Sequence, residues 1–237
     1  MKSIVAVIVL CGICTASLAK SIFWYEISKG DEREQVEWIK RWGADDKIVF
    51  QSTNYLENVS HHMVCSPDLQ TLTWQFHHNV RDIDYTVTLQ GDTLLYSGVL
   101  DGENIQRREP TRGLPWYQIH GISFPKLLEQ GFKEQKFISV RPKDGKLFTL
   151  IAERKSIETI TVNDTATKTI RVDIRLAGLL GALGNVSYWF RECDFVFIKY
   201  QGITGVPGTD PVVYELDEYI PSSDQSAVRP GSSSSTY

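Results

Sequence analysis

The chain is poor in cysteine, and two of its four cysteines, Cys11 and Cys14, fall within the first nineteen residues. Beyond them only Cys65 and Cys193 remain, so no Cys-x-x-Cys metal or redox motif can be assembled. A cationic excess is also missing. The 25 lysines and arginines face 29 acids for a formal charge of −4, which argues against the clustered cations that non-specific nucleic-acid binding requires. The densest basic run, "RREPTR" from Arg107 to Arg112, reads as a solvated loop. No Gly-x-Ser-x-Gly elbow, His-x-His or Glu-x-x-His occurs, so the familiar hydrolase and zinc-site spacings are absent. Past residue 19, no apolar run approaches the roughly 20 residues that cross a bilayer as a helix.

What the chain does have begins with "MKSIVAVIVLCGICTASLA". One charge at Lys2, an apolar core from Ile4 to Ile13 and small residues at Ser17 and Ala19 make the tripartite pattern of a secretory signal peptide, with cleavage expected after Ala19. A lipidated Cys11 or Cys14 fits less well, because Leu10 and Ile13 are bulky where that processing wants a small residue. The expected destination is the periplasm or the exterior, with no stable transmembrane span after cleavage unless the leader is retained as an anchor. In an oxidising compartment Cys65 and Cys193 are a possible disulfide; the alternative is two separate buried thiols. At the other end "PSSDQSAVRPGSSSSTY", residues 221–237, is expected to be a disordered Ser-rich tail. No linker composition divides the remainder, which we read as one domain over residues 20–220.

Alternating apolar and polar residues fill that region, the mark of half-buried strands. "KIVFQSTNYL", "TLTWQFHH", "DYTVTLQ" and "TLLYSGVL" follow one another with turn chemistry between them, "SPDLQ" at Ser66, Gly91-Asp92 and Asp101-Gly102. After another Asp-Gly at Asp144, "KLFTLIAER", "SIETITV" and "TKTIRVDIRL" continue the theme, preceded by "EQKFISVRP". In "TKTIRVDIRL", Ile170, Val172, Ile174 and Leu176 should face a core. The fold class is mainly β, an antiparallel meander forming a curved sheet or half-barrel. One or two short helices should sit on its concave side: one of one or two turns starting at Pro125 and stopping near Gly131, and another conceivable in "LAGLLGALGNVSYWF".

Site chemistry is sparser. A hairpin turned by "SPDLQ" would set His61 opposite Gln75 and His62 opposite Trp74. Since neighbouring residues face opposite sides, each of the pairs His61-His62 and His77-His78 offers one imidazole to any common ion. With His120 alone elsewhere, no metal site is expected, and no cofactor. The acid pairs Asp82/Asp84 and Asp217/Glu218 read as solvated turn residues. Six Trp, ten Tyr and ten Phe are spread over nearly every strand. They pack a core or line a concave apolar groove, for which Trp74, Phe76, Tyr85, Trp116, Tyr117, Phe148 and Trp189 are the candidates on aromatic character and strand phase.

Three glycines and two prolines in "FIKYQGITGVPGTDPVVYEL" suggest a phosphate cradle. A cradle leads into a helix, whereas "VVYELDEY" is another alternating strand, so the segment is a long hairpin loop turned by Gly202, Gly205 and Gly208. This run, with "YWF", "FVFIKYQG" and the preceding "RVDIRLAGLLGAL", resembles the C-terminal part of a family of exported bacterial proteins of unknown function. Those proteins are described as a β half-barrel similar to the periplasmic lipoprotein-carrier fold. The resemblance covers about Gln135 to Tyr219, with Asp210 inserted between Thr209 and Pro211 of the pattern; it implies fold and compartment and carries no functional residue over. The leading expectation is a non-catalytic protein that binds a lipid or other apolar ligand, or a cell-envelope protein, in its groove. An envelope assembly module and a hydrolase or isomerase of unrecognised site are the alternatives.

Overall fold

The computed structural model describes residues 20–178, 185–202 and 211–222. The expected signal peptide, most of the Ser-rich tail, the segment after Gly178 where a second helix was conceivable, and residues 203–210 with Gly205 and Gly208 lie outside the described residues.

The strands are β1 (Lys20–Lys29), β2 (Glu32–Trp42), β3 (Ile48–Asn54), β4 (Val59–Cys65), β5 (Thr71–His78), β6 (Ile83–Gln90), β7 (Thr93–Leu100) and β8 (Glu103–Pro110). After helix α1 (His120–Glu129) come β9 (Glu134–Val140), β10 (Leu147–Val162), β11 (Thr165–Leu176), β12 (Val186–Arg191), β13 (Phe197–Gly202) and β14 (Val212–Ile220). All fourteen form one open antiparallel sheet, running from β8 back to β1, across to β14, and from there down to β9. Two meanders are therefore joined where β1 pairs with β14, Glu26 opposite Glu215 and Ile27 opposite Tyr214. Period-2 alternation explains the sidedness: Phe23, Tyr25 and Ile27 of β1, and Ile170, Val172 and Ile174 of β11, are buried on the concave face. Positive φ at Asp101 and Gly102, and at Asn163 and Asp164, closes the β7–β8 and β10–β11 hairpins with the tight turns that match strand twist.

This topology has one unusual consequence. The two sheet edges, β8 and β9, are consecutive in the chain, so the segment between them must run from edge to edge. It does so by pairing with both sides. Ile138 N–H donates to the Pro115 carbonyl (3.0 Å) and Tyr117 N–H to the Ile138 carbonyl (3.1 Å), a short parallel bridge on the outer edge of β9. Two residues on, the Gln118 amide replaces a strand partner: its Nε2 donates to the Val140 carbonyl (2.6 Å) while its Oε1 accepts from Val140 N–H (2.9 Å) and Trp116 Nε1 (2.9 Å). On the opposite flank, Thr71 N–H of β5 donates to the Trp116 carbonyl (2.9 Å), and Gln118 N–H to Thr71 Oγ1 (3.0 Å). The other edge leans on the β9–β10 turn through Arg107, which donates to the Gly145 carbonyl, and the inner strand β6 reaches the same turn through Tyr85, whose hydroxyl donates to the Pro142 carbonyl (2.9 Å).

Helix α1 then lies on the concave face with Phe124, Leu127 and Leu128 buried. Its fit is close at Gly121, where an added Cβ would stand 2.8 Å from the Phe197 ring and 3.0 Å from Trp38. Only glycine allows that approach.

Four expectations change. The helix starts at His120, five residues before Pro125, and encloses that proline; burial of the apolar face outweighs the backbone bond that proline removes. "KLFTLIAER" and "SIETITV" are one strand, β10, interrupted by a bulge between Arg154 and Ile157. "RREPTR" is a loop only in its last two residues: Arg107–Pro110 belong to β8, with the Arg107 guanidinium 4.2 Å from the Tyr96 ring centre. A bulge between Val64 and Cys65 slides the β4–β5 register, so His61 faces Phe76 and His62 faces Gln75.

Replacing Gln118 by Leu leaves Val140 N–H, Val140 C=O and Trp116 Nε1–H without partners. The loss is expected to be on the order of 3 kcal/mol or more, measured by urea unfolding. A change below about 1 kcal/mol would show that the amide is not needed to seal the edge.

Candidate functional site

Between α1 and the wall of the sheet is a cavity of about 560 Å³, within the roughly 300–1,000 Å³ typical of small-molecule sites. Its floor is the first turn of α1 with Ile119, His120 and Gly121. It extends to the β3–β4 turn, with Asn54, Glu57 and Val59, and to the β9–β10 turn, with Arg141 and Pro142. Ile27, Val36, Trp38, Phe50, Leu150 and Phe197 make much of the wall apolar. Strand phase supplies these residues: Val36 and Trp38 alternate on β2, as Phe50, Ser52 and Asn54 do on β3.

The polar lining is selective. His61 enters from β4 on the same face as buried Met63 and Cys65. Its Nδ1 accepts a hydrogen bond from the Trp74 indole (3.1 Å), and burial lowers its pKa from 6.5 to about 4. His120 at the floor shares a 3.1 Å hydrogen bond between its Nδ1 and the Tyr188 hydroxyl, and it stacks on Phe124 with ring centres 5.3 Å apart. Its Nε2 is buried without a partner, and burial again lowers its pKa to about 4. The phenol of Tyr188 is pushed well above its ordinary pKa by burial. Among the described residues, the groups that line the interior are therefore uncharged at neutral pH.

Among the described lining residues, ions stand only at the mouth. Glu57 is exposed there, and Arg141 donates through both Nε and Nη2 to Asp144, whose carboxyl that bond holds down to about 2.

The aromatic residues expected to line a groove divide three ways. Phe148 alone lines the cavity. Trp74, Phe76 and Tyr85 are buried against one another, with ring centres 5.6–6.1 Å apart, and Trp116 and Tyr117 are buried in the edge-to-edge segment. Trp189 points to the other face, where its indole donates to Glu158; its neighbour Tyr188 is the one that faces inward. Because "YWF" is aromatic at both parities, alternation alone did not choose between them. Of the glycines, Gly202 ends β13 beside the Tyr200 ring. The possible Cys65–Cys193 pairing is not formed: both are free thiols, Cys65 buried in the sheet interior and Cys193 exposed in the turn after β12. Burial raises the Cys65 pKa to about 12, which makes it inert as a thiolate.

His61, His120, Trp38, Tyr188, Tyr200 and Tyr214 are cavity residues that the sequence reading did not select. A signal existed for one of them, since His61 shares its strand phase with the apolar residues Met63 and Cys65.

No protein-family model matches the chain, and no curated protein does. Solved structures do. A β-barrel-like protein of the domain-of-unknown-function family DUF1849, from Brucella abortus, has a TM-score of 0.55 at 7% identity, covering 87% of this chain and 99% of that one. The hypothetical lipoprotein YmcC from Escherichia coli covers 86% and 88% at 9% identity and a TM-score of 0.38. A DUF1329 family protein from Desulfovibrio piger covers 87% of each at 8% identity and a TM-score of 0.26. At such identities the likeness concerns fold alone, and only the first is close enough to carry that argument. The chain thus has the fold of β-barrel-like domains of unknown function, and no helix among the described residues is long and apolar enough to cross a membrane.

Both histidines set a pH window. The unfolded chain takes up their protons near pH 6.5, whereas the folded imidazoles resist until about pH 4. Their contribution is therefore complete above about pH 6.5 and is lost as the pH falls to about 4. The cavity admits water to part of each ring, so up to about 3 kcal/mol apiece is an upper bound. Urea midpoints measured from pH 7.5 to 4 should fall across that window. In His120→Phe about half of the fall should disappear, and an unchanged slope would contradict the burial of a neutral ring.

Proposed function

We propose that the protein is an exported, non-catalytic binder of an apolar or amphipathic ligand, which it holds in the cavity above α1. The observation that carries this reading is the cavity itself: about 560 Å³, walled by aromatic and aliphatic side chains, with the few polar groups among its described lining residues neutral and the ions among them confined to the mouth. Three exposed apolar side chains, Tyr55, Leu56 and Val80, sit on two adjacent turns at that end. These turns are tied by Asn79 N–H donating to the Asn58 carbonyl (3.3 Å). An apolar rim suits a ligand that arrives from an apolar phase.

The protonation of His61 favours binding over hydrolysis. A general base must present an unprotonated nitrogen, and the Trp74 indole already occupies that nitrogen. The edge strand β8 gives the assembly reading little support, since Glu103, Arg108 and Pro110 lie exposed on it, and charge and proline discourage strand addition. Export rests on the signal-like leader, and we place the mature chain in the periplasm or outside the cell.

Native mass spectrometry of protein purified without detergent should show a bound hydrophobic adduct, and a fluorescent fatty-acid probe should bind and be displaced by long-chain lipids. Val59→Trp, which adds bulk at the cavity wall, should weaken probe binding at least tenfold while changing stability by no more than about 1–3 kcal/mol. An empty spectrum together with no probe binding would falsify the reading.

A further inference from the structure

His61 offers more than polarity. An indole N–H only donates, so Nδ1 of His61, 3.1 Å from Trp74 Nε1, must be the unprotonated nitrogen. The neutral ring then carries its proton on Nε2, which makes no hydrogen bond to another described residue and is not among the side-chain atoms buried without a partner. His61 is a cavity residue, so this N–H is a fixed donor with a place to point. Trp74 is fully buried, stacked on Phe76 and edge-on to Tyr85, which holds the donor's orientation. His120 differs: its spare nitrogen is buried and reaches no open space.

The chemistry of the complement follows from what surrounds this donor. Across the sheet His61 faces Phe76 on one side and Ser52 on the other. The one cation among the described lining residues, Arg141, is matched by Asp144. A carboxylate in the interior would lose its hydration without gaining a counter-ion, whereas a carbonyl oxygen needs only the donor. At about 30 Å³ per non-hydrogen atom, by the yardstick of liquid water, the volume admits a ligand of roughly twenty such atoms. That is the size of one long acyl group.

We propose that His61 Nε2–H donates to the carbonyl oxygen of a single-chain acyl ester or amide, whose chain occupies the apolar wall between Trp38, Phe50 and Leu150. This rests on the cavity-binding reading above and adds the polar group the ligand must carry.

The test compares three C18 probes, methyl oleate, cis-9-octadecene and oleate at pH 7.5, by tryptophan fluorescence titration of the whole mature chain. Methyl oleate should bind roughly 2- to 12-fold more tightly than the alkene, the ratio one net hydrogen bond supplies. His61→Phe should erase that ratio. His61→Gln, whose Oε1 can accept from the indole while its Nε2 donates, should restore part of it. In the wild-type protein, ¹⁵N NMR should show His61 protonated on Nε2, with that signal moving on addition of methyl oleate. If the phenylalanine variant fails to fold, the wild-type ratio and the NMR signal decide. Equal binding of ester and alkene, or a proton on Nδ1, overturns the donor role while leaving the cavity reading intact. Oleate binding more tightly than its ester overturns the uncharged-acceptor specificity. Failure of all three probes to bind overturns the cavity reading and this proposal with it.

Discussion

Everything distinctive in this fold depends on one topological constraint: the two edges of the sheet are consecutive strands. A sheet of fourteen strands with two bare edges would present unpaired backbone on both flanks, which invites aggregation. The chain between β8 and β9 resolves half of that by pairing with β9 itself. It cannot continue as a strand, because α1 must follow. The Gln118 side chain therefore takes over where the backbone bridge ends, and its amide supplies the donor and acceptor that Val140 needs. A glutamine suits this position because it carries both functions on one planar group.

The same segment decides where function can reside. Having crossed the edge, it enters the concave face at Ile119 and turns immediately into α1, whose buried side chains fill one end of the half-barrel. The other end is left unfilled, so the cavity lies between the helix's first turn and the hairpin turns at the opposite rim. Its chemical character comes from burial. Imidazoles and phenols placed where water is scarce stay neutral, and the charges sit where hydration is available. The result is a container with a few fixed hydrogen-bonding groups and, among the described residues, no internal ion.

How much of this could be read from the sequence differs by level. Antiparallel strands, their turns and their sidedness were legible because period-2 alternation and Asp-Gly turns are local signals: Ile170, Val172 and Ile174 are buried as their phase implies. The concave site was legible only in outline. Register is a long-range property, and one extra residue at the bulge beside Cys65 moved His61 from the polar side of the hairpin to the face it shares with Trp74 and Phe76. Aromatic character identified core more often than cavity, since large rings fill space wherever they are enclosed; Trp74, Phe76 and Tyr85 are the filling, and the smaller Val36 and Ser52 leave the room. Helix α1 was placed too late because Pro125 is a strong start signal, and nothing local reveals that tertiary packing would extend the helix in front of it.

The segment from Pro115 to Gln118 seals the β9 edge and so fixes the cavity floor. Amide hydrogen exchange at Ile138 and Val140 tests it most directly, because these two N–H groups point away from β10 and have partners only in that segment. Protection comparable to that of Val172 in the middle of β11 is expected. Exchange at both amides as rapid as in the exposed strand β8 would contradict it.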